Sequence, residues 1–403
     1  MRVRHTPHPL PAFPVYSSAF LSSNELVLGG GGGASKSGIK NKLRLYNIKD
    51  DRTIDLIDEL ELAQGEDAPM SMAAHPETKT IVCGVNSPLE LLEKGQNENC
   101  RVYGVKDAKL GLINTYGSLT AGSVEDYQKV TVISPDGKLV LVAGSNDFSL
   151  LSYPSLAPVV QSISTGKDDI YDATFSATTL VVTTTANLLV YALPKASNSR
   201  PQSPSKGKKK GKQKAQPLPD LEILRTVELP ASLGGVSGST FRAARYHPYD
   251  ESVLYTVTNT LPLRSRKKSS SRQAFICKWS TESWTVSKVR KVGDRGLTCF
   301  DISPNGKLLG YGSSDYSTGL LDSTTLSPVV TILKAHDFPP TTLRFNPTST
   351  LFISGSADNS VRVVTVPESI AGSSWSLFVL LLLALLVILV AIGAQKYITS
   401  TGA

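Results

Sequence analysis

Cysteine is scarce: four in 403 residues, Cys83, Cys100, Cys277 and Cys299, far apart and without Cys-x-x-Cys spacing. That excludes a cysteine-built zinc site or thioredoxin-like centre and marks reduced, mostly structural thiols. The five histidines (His5, His8, His75, His247 and His336) are scattered with no triad-like neighbours, so covalent catalysis is not indicated. A usable glycosylation sequon is missing, because Asn346-Pro347-Thr348 is blocked by its proline. The N-terminus, with Pro7, Pro9, Pro11 and Pro14, has no apolar signal-peptide core, which predicts a cytosolic main domain.

Glycine (31) and proline (24) are plentiful, which suits many short strands joined by turns. A unit recurs seven times: a strand, a polar turn with Pro or Gly, a second strand, a small-residue corner and a third strand. The clearest copies begin at Thr131, Cys299 and Leu343, and the first two share Ser-Pro-Asp/Asn-Gly-Lys. Weaker copies begin at Ala19, Ser71, Ala173 and Ala244. The turn prolines Pro304 and Pro347 lie 43 residues apart, within the roughly 40–45 of a WD repeat. The predicted fold class is an all-β, seven-bladed WD-repeat β-propeller over 15–367, after a proline-rich segment 1–14. In its last blade His336 and Asp358 are predicted to brace a turn rather than to act as a catalytic pair.

The net charge of +8 is misleading as a sign of nucleic-acid binding. Seven basic residues fall in 200–214 and five in 264–272, with no acidic residue in either, so without those twelve charges the chain carries −4. Lysine blocks among Ser, Gly, Pro and Gln cannot bury enough apolar surface to offset ordering, so insertions at about 198–217 and 263–272 are predicted to be disordered. No nucleic-acid partner is expected.

Residues 375–394, WSLFVLLLLALLVILVAIGA, carry no charge. At about 1.5 Å per residue such a run spans the roughly 30 Å core of a bilayer. Trp375, Lys396 and Tyr397 flank it as interfacial anchors. The prediction is a single C-terminal transmembrane helix followed by a short tail, 395–403, on the far side.

Five glycines, Gly29 to Gly33, follow the strand Leu26-Val27-Leu28 and open a loop through Ala34, Ser35, Gly38 and Ile39 to Asn41. Five such residues imply about 2.5–5 kcal/mol of chain entropy relative to alanine. Either the glycines turn backbone groups toward an ion or phosphate, or the loop is simply loose. A phosphate-binding P-loop is rejected, since Ser35 stands where the motif needs glycine before Lys36-Ser37 and no helix follows.

The run GGGGASKSGIKNKL closely resembles the signature loop of the endoplasmic-reticulum exchange factors for the COPII coat GTPase, related to prolactin regulatory element-binding protein. The likeness extends to the propeller, the C-terminal anchor and Glu66-Asp67-Ala68-Pro69 before blade two. It implies a guanine-nucleotide exchange factor without covalent chemistry, with the propeller on the cytosolic side of the endoplasmic reticulum membrane and a lumenal tail. It further implies a potassium ion held mainly by backbone carbonyls of Gly29 to Asn41, and a GTPase contact region involving Asn41 and Pro69. Read as a surface residue, Asn41 could be replaced by alanine for less than about 1 kcal/mol of stability. The alternative is a tail-anchored WD-repeat scaffold without exchange activity.

Overall fold

Alternating burial builds the sheets. In strand Lys42–Ile48, Leu43, Leu45 and Ile48 are fully buried, whereas Lys42 and Arg44 point outward to Glu59 on the next strand. Such period-two patterns recur throughout the computed structural model, which describes residues 3–35, 37–119, 125–194, 218–233, 238–261, 272–367 and 374–401. Two compact units result, Met1–Val366 and Pro367–Ala403.

The first unit is seven four-stranded antiparallel sheets. Their innermost strands are Val15–Phe20, Ser71–His75, Val130–Ile133, Ile170–Phe175, Ser239–His247, Leu297–Ile302 and Pro340–Phe345. Each lies beside the next, and the last returns to the first. The seven predicted blades are all present, each with one strand more than the sequence pattern indicated. The additional outer strands, such as Ile54–Glu61, are mostly solvent-facing, so they lack the apolar alternation that betrays an inner strand.

Segment 1–14, set apart on sequence grounds, belongs to the propeller. Its strand His5–Pro9 pairs antiparallel with Ser360–Thr365, His5 opposite Val364 and Pro9 opposite Ser360, and so forms the outer strand of blade seven. Prolines are tolerated there because an outermost strand leaves half its N–H groups without a ladder partner.

Each blade buries both faces. One face of blade one packs Val27, Leu43 and Leu45 against Met72, Ile81 and Tyr103 of blade two; the other packs Val15, Leu26 and Leu28 against Ile353, Val361 and Val363 of blade seven. Cys83, Cys100 and Cys277 are buried and unbridged, and burial pushes the Cys100 and Cys277 thiols up to about 12, as structural thiols require. The predicted basic insertions lie outside the described residues, apart from Arg272.

The second unit carries one 28-residue helix, Ser374–Thr401. The stretch 375–394 is helical, as expected, and helicity alone does not establish a crossing. Among the described residues no helix is long and apolar enough to cross a membrane.

The predicted brace in blade seven is formed. His336 Nδ1 lies 3.2 Å from Asp358 Oδ2 and 2.9 Å from Ser360 Oγ, while Nε2 lies 2.8 Å from Ser354 Oγ. The Asp337 N–H donates to the same Asp358 carboxylate at 2.7 Å. Burial holds the His336 pKa below its ordinary value, against the pull of Asp358. As pH falls, the unfolded chain therefore takes up this proton first. The contribution is complete above about pH 6.5 and is lost as pH drops from there toward the lower folded value. Thermal melting between pH 7.5 and 5.5 is expected to fall more steeply for the wild type than for His336→Gln, and His336→Ala at pH 7.5 to cost about 2 kcal/mol. Parallel pH profiles for wild type and His336→Gln would contradict this.

Candidate functional site

Blade one opens where its second and third strands, Glu25–Gly30 and Lys42–Ile48, end their pairing at Gly30 opposite Lys42. The glycine-rich loop leaves the sheet here. Gly29 and Gly30 are still strand, and both are buried. A Cβ on Gly29 would lie 2.7 Å from the Pro69 Cβ, so the loop's origin and Pro69 approach more closely than any side chain permits. Pro69 is itself buried, and its carbonyl accepts the Ser17 hydroxyl at 2.5 Å. The structure thus places Pro69 beneath the loop rather than on the surface, and its influence there is through packing.

Asn41 closes the loop. Its Oδ1 accepts the Gly33 N–H at 2.9 Å, and its Nδ2 donates to the Gly33 carbonyl at 3.0 Å and to the Glu66 carbonyl at 2.7 Å. The amide satisfies both backbone groups of one residue, which a side chain offering only donors or only acceptors could not do. Gly33 receives this contact with φ +68°, the left-handed region that favours glycine. Gly31 and Gly32 rise between sheet and tip, and the Ser35 hydroxyl bonds back to the Gly32 carbonyl at 2.5 Å. Ala34, Ser35 and Gly38 are exposed and Ile39 half-buried, while Lys36 lies outside the described residues.

The segment before blade two supports this loop. The Glu66 carboxylate accepts from Arg101 at 2.6 Å, with both side chains largely buried, and from the Ala63 N–H at 2.8 Å. Burial pushes the Asp67 carboxyl above its ordinary pKa, against the Ala68 and Ala34 N–H groups that bond to it. Asp67 therefore ties the loop tip, through Ala34, to the segment that Asn41 holds from below. Sequence reading singled out Asn41, Pro69 and the Glu66-Asp67-Ala68-Pro69 motif but not Arg101, which is 35 residues from its partner and carries no local signal.

The donor set bears on the implied potassium. Among the described residues no three His, Cys, Asp or Glu side chains cluster as a metal site built from them would require. What the loop offers is neutral backbone carbonyls, turned by positive φ at Gly31, Gly33 and Gly38, with one carboxylate, Asp67, at its tip. Neutral oxygens that replace a hydration shell suit a weakly hydrated monovalent cation, so the residues present fit potassium.

The fold is a seven-bladed β-propeller, and one of its repeats, residues 327–364, matches the family of the WD domain, G-beta repeat. Along most of its length the chain is similar to proteins named SEC12 exchange factors. It is 24% identical over 375 residues to the guanine nucleotide-exchange factor SEC12 of Candida glabrata, covering 90% of this chain and 72% of that protein. It is 23% identical to SEC12-like protein 2 of Arabidopsis thaliana, covering 83% and 74%. A putative guanine nucleotide-exchange factor, SED4 of Candida glabrata, matches at 23% over 90% of this chain but only 32% of its own length. Among solved structures, Raptor of Chaetomium thermophilum superposes with TM-score 0.61 at 11% identity, covering 91% of this chain and 29% of that one; that likeness concerns the fold alone.

With three hydrogen bonds and a half-buried side chain, Asn41 is not the indifferent surface position that its sequence context implied. Asn41→Ala is expected to cost about 1–2 kcal/mol, and Gly29→Val about 2–3 kcal/mol through overpacking against Pro69. Chemical denaturation measures both, and an Asn41→Ala curve superimposable on the wild type would refute the anchoring role.

Proposed function

We propose that this chain is a guanine-nucleotide exchange factor for the small GTPase that initiates COPII coat formation at the endoplasmic reticulum. The observation that carries the reading is the double hydrogen bond from Asn41 to Gly33 with its third bond to Glu66, because it makes the glycine loop a fixed projection instead of a loose tether. Kinship with proteins named SEC12 supports exchange as the activity.

Exchange breaks no covalent bond. A surface that binds the nucleotide-free GTPase better than the loaded form lowers the barrier to GDP loss. In this reading the exposed tip, Ala34 to Gly38, enters the GTPase while Asn41, Glu66 and Asp67 keep it from collapsing. Backbone carbonyls of Gly29 to Asn41 would hold potassium, which would supply positive charge to a loop built of neutral oxygens. A loop ordered before contact avoids the entropy loss of ordering on binding.

The helix Ser374–Thr401 is proposed to cross the membrane through 375–394, with the propeller in the cytosol. Tethering raises the local concentration of exchanger where the coat must assemble. The propeller is a compact unit by itself, its blades packed on one another, so a fragment ending at residue 367 is a fair reagent.

Release of fluorescent GDP from the COPII-initiating GTPase is expected to be accelerated by this fragment in potassium, slowed at least about tenfold by Asn41→Ala, and slowed by exchange of potassium for lithium without a change in melting temperature. Failure of the wild-type fragment to release GDP from this GTPase would leave the scaffold reading in its place. Equal rates in potassium and lithium would remove the ion from it.

A further inference from the structure

We propose that the central channel of the propeller binds a small oxyanion of the phosphate class between Arg242 and Arg344. A cavity of about 170 Å³ lies among the inner strands, where a single water needs only about 10–15 Å³. Four cationic side chains, Lys129, Arg242, Arg245 and Arg344, line it against one carboxylate, Asp172.

The charges do not cancel pairwise. Arg245 takes both nearby carboxylates, forming an ion pair with Asp172 and another with Asp301 at 3.5 Å. Lys129 donates to the Ser145 hydroxyl at 2.7 Å. Among the described residues, Arg242 and Arg344 have no carboxylate partner. Arg242 lies over the Tyr171 ring at 4.7 Å and reaches only the Thr298 carbonyl, at 3.4 Å. Arg344 donates to the Leu343 carbonyl at 3.0 Å and the Met72 carbonyl at 3.4 Å. A guanidinium has five N–H donors, so most of those on both residues find no acceptor among the described residues.

The two guanidiniums also act at one place. Burial pushes the Cys299 thiol up to about 11, and Arg242 and Arg344 both pull it the other way, so both are within electrostatic reach of the same sulfur. Arg242 comes from the fifth inner strand and Arg344 from the seventh, on either side of the sixth, which carries Cys299. Two planar forks lining one cavity offer the several N–H donors that a tetrahedral, multiply accepting phosphate takes. The ring stacking of Arg242 fixes one fork in advance, which reduces the ordering needed on binding.

This inference does not depend on the exchange reading, because its measurement involves neither the GTPase nor nucleotide. The full chain would be titrated calorimetrically with sodium phosphate at an ionic strength held constant with sodium chloride. Saturable binding at one site is expected, weakened at least about tenfold by Arg242→Gln and by Arg344→Gln, and unchanged by Lys138→Gln on the exposed surface. Should a glutamine variant melt far below the wild type, Arg242→Lys and Arg344→Lys retain the charge without the fork and are expected to weaken binding several-fold. Absence of saturable phosphate binding, equal affinity in the channel variants, or an equal loss in Lys138→Gln would overturn the proposal.

Discussion

A ring of sheets is latched covalently when its last sheet takes its outer strand from the first part of the chain. Here that strand is His5–Pro9, which pairs with Ser360–Thr365 through its full length. The closure lets blade one bury one face on blade two and the other on blade seven, so the hydrophobic core has no terminal blade to cap. Polar contacts between the same blades secure the seam: Ser18 and Thr342 hydroxyls meet at 2.7 Å, and Thr341 donates to the Val15 carbonyl at 2.6 Å. Everything described at the site and in the channel is held in place by this ring.

The loop takes its order from the ring by a short chain of contacts. Arg101 on blade two fixes Glu66, the Glu66 carbonyl fixes Asn41, and Asn41 fixes Gly33. The buried ion pair does not need to contribute net stability to be useful, since desolvation offsets much of its Coulomb energy. Its effect is geometric: it sets where the Glu66 backbone lies. Gly29 and Gly30 are ordered by strand pairing, and Gly33 by two hydrogen bonds from the Asn41 side chain.

The channel and the loop are neighbours without being one site. Asp67, at the loop tip, and Arg242, in the channel, both perturb Tyr127, whose pKa burial raises. Positive charge gathered in the channel contrasts with the net negative charge of the chain outside its two basic runs.

Much of the architecture was legible because it is local. Repeated Ser-Pro-Asp/Asn-Gly-Lys turns, alternating apolar strands and the His336 to Asp358 spacing depend on neighbours within one blade, and they gave blade number and brace correctly. Outer strands such as Ile54–Glu61 were invisible because a mostly solvated strand carries no apolar period. The N-terminal strand was misplaced because its partner lies more than 350 residues away, and nothing in His5–Pro9 names that partner. The same holds at the site. The glycine run and Asn41 announce themselves in sequence, but the burial of Pro69 under Gly29, the support of Glu66 by Arg101 and the placing of Arg242 and Arg344 on one cavity join residues far apart in the chain. Closing the ring decides them, since only then do residues on different repeats come within reach of a hydrogen bond.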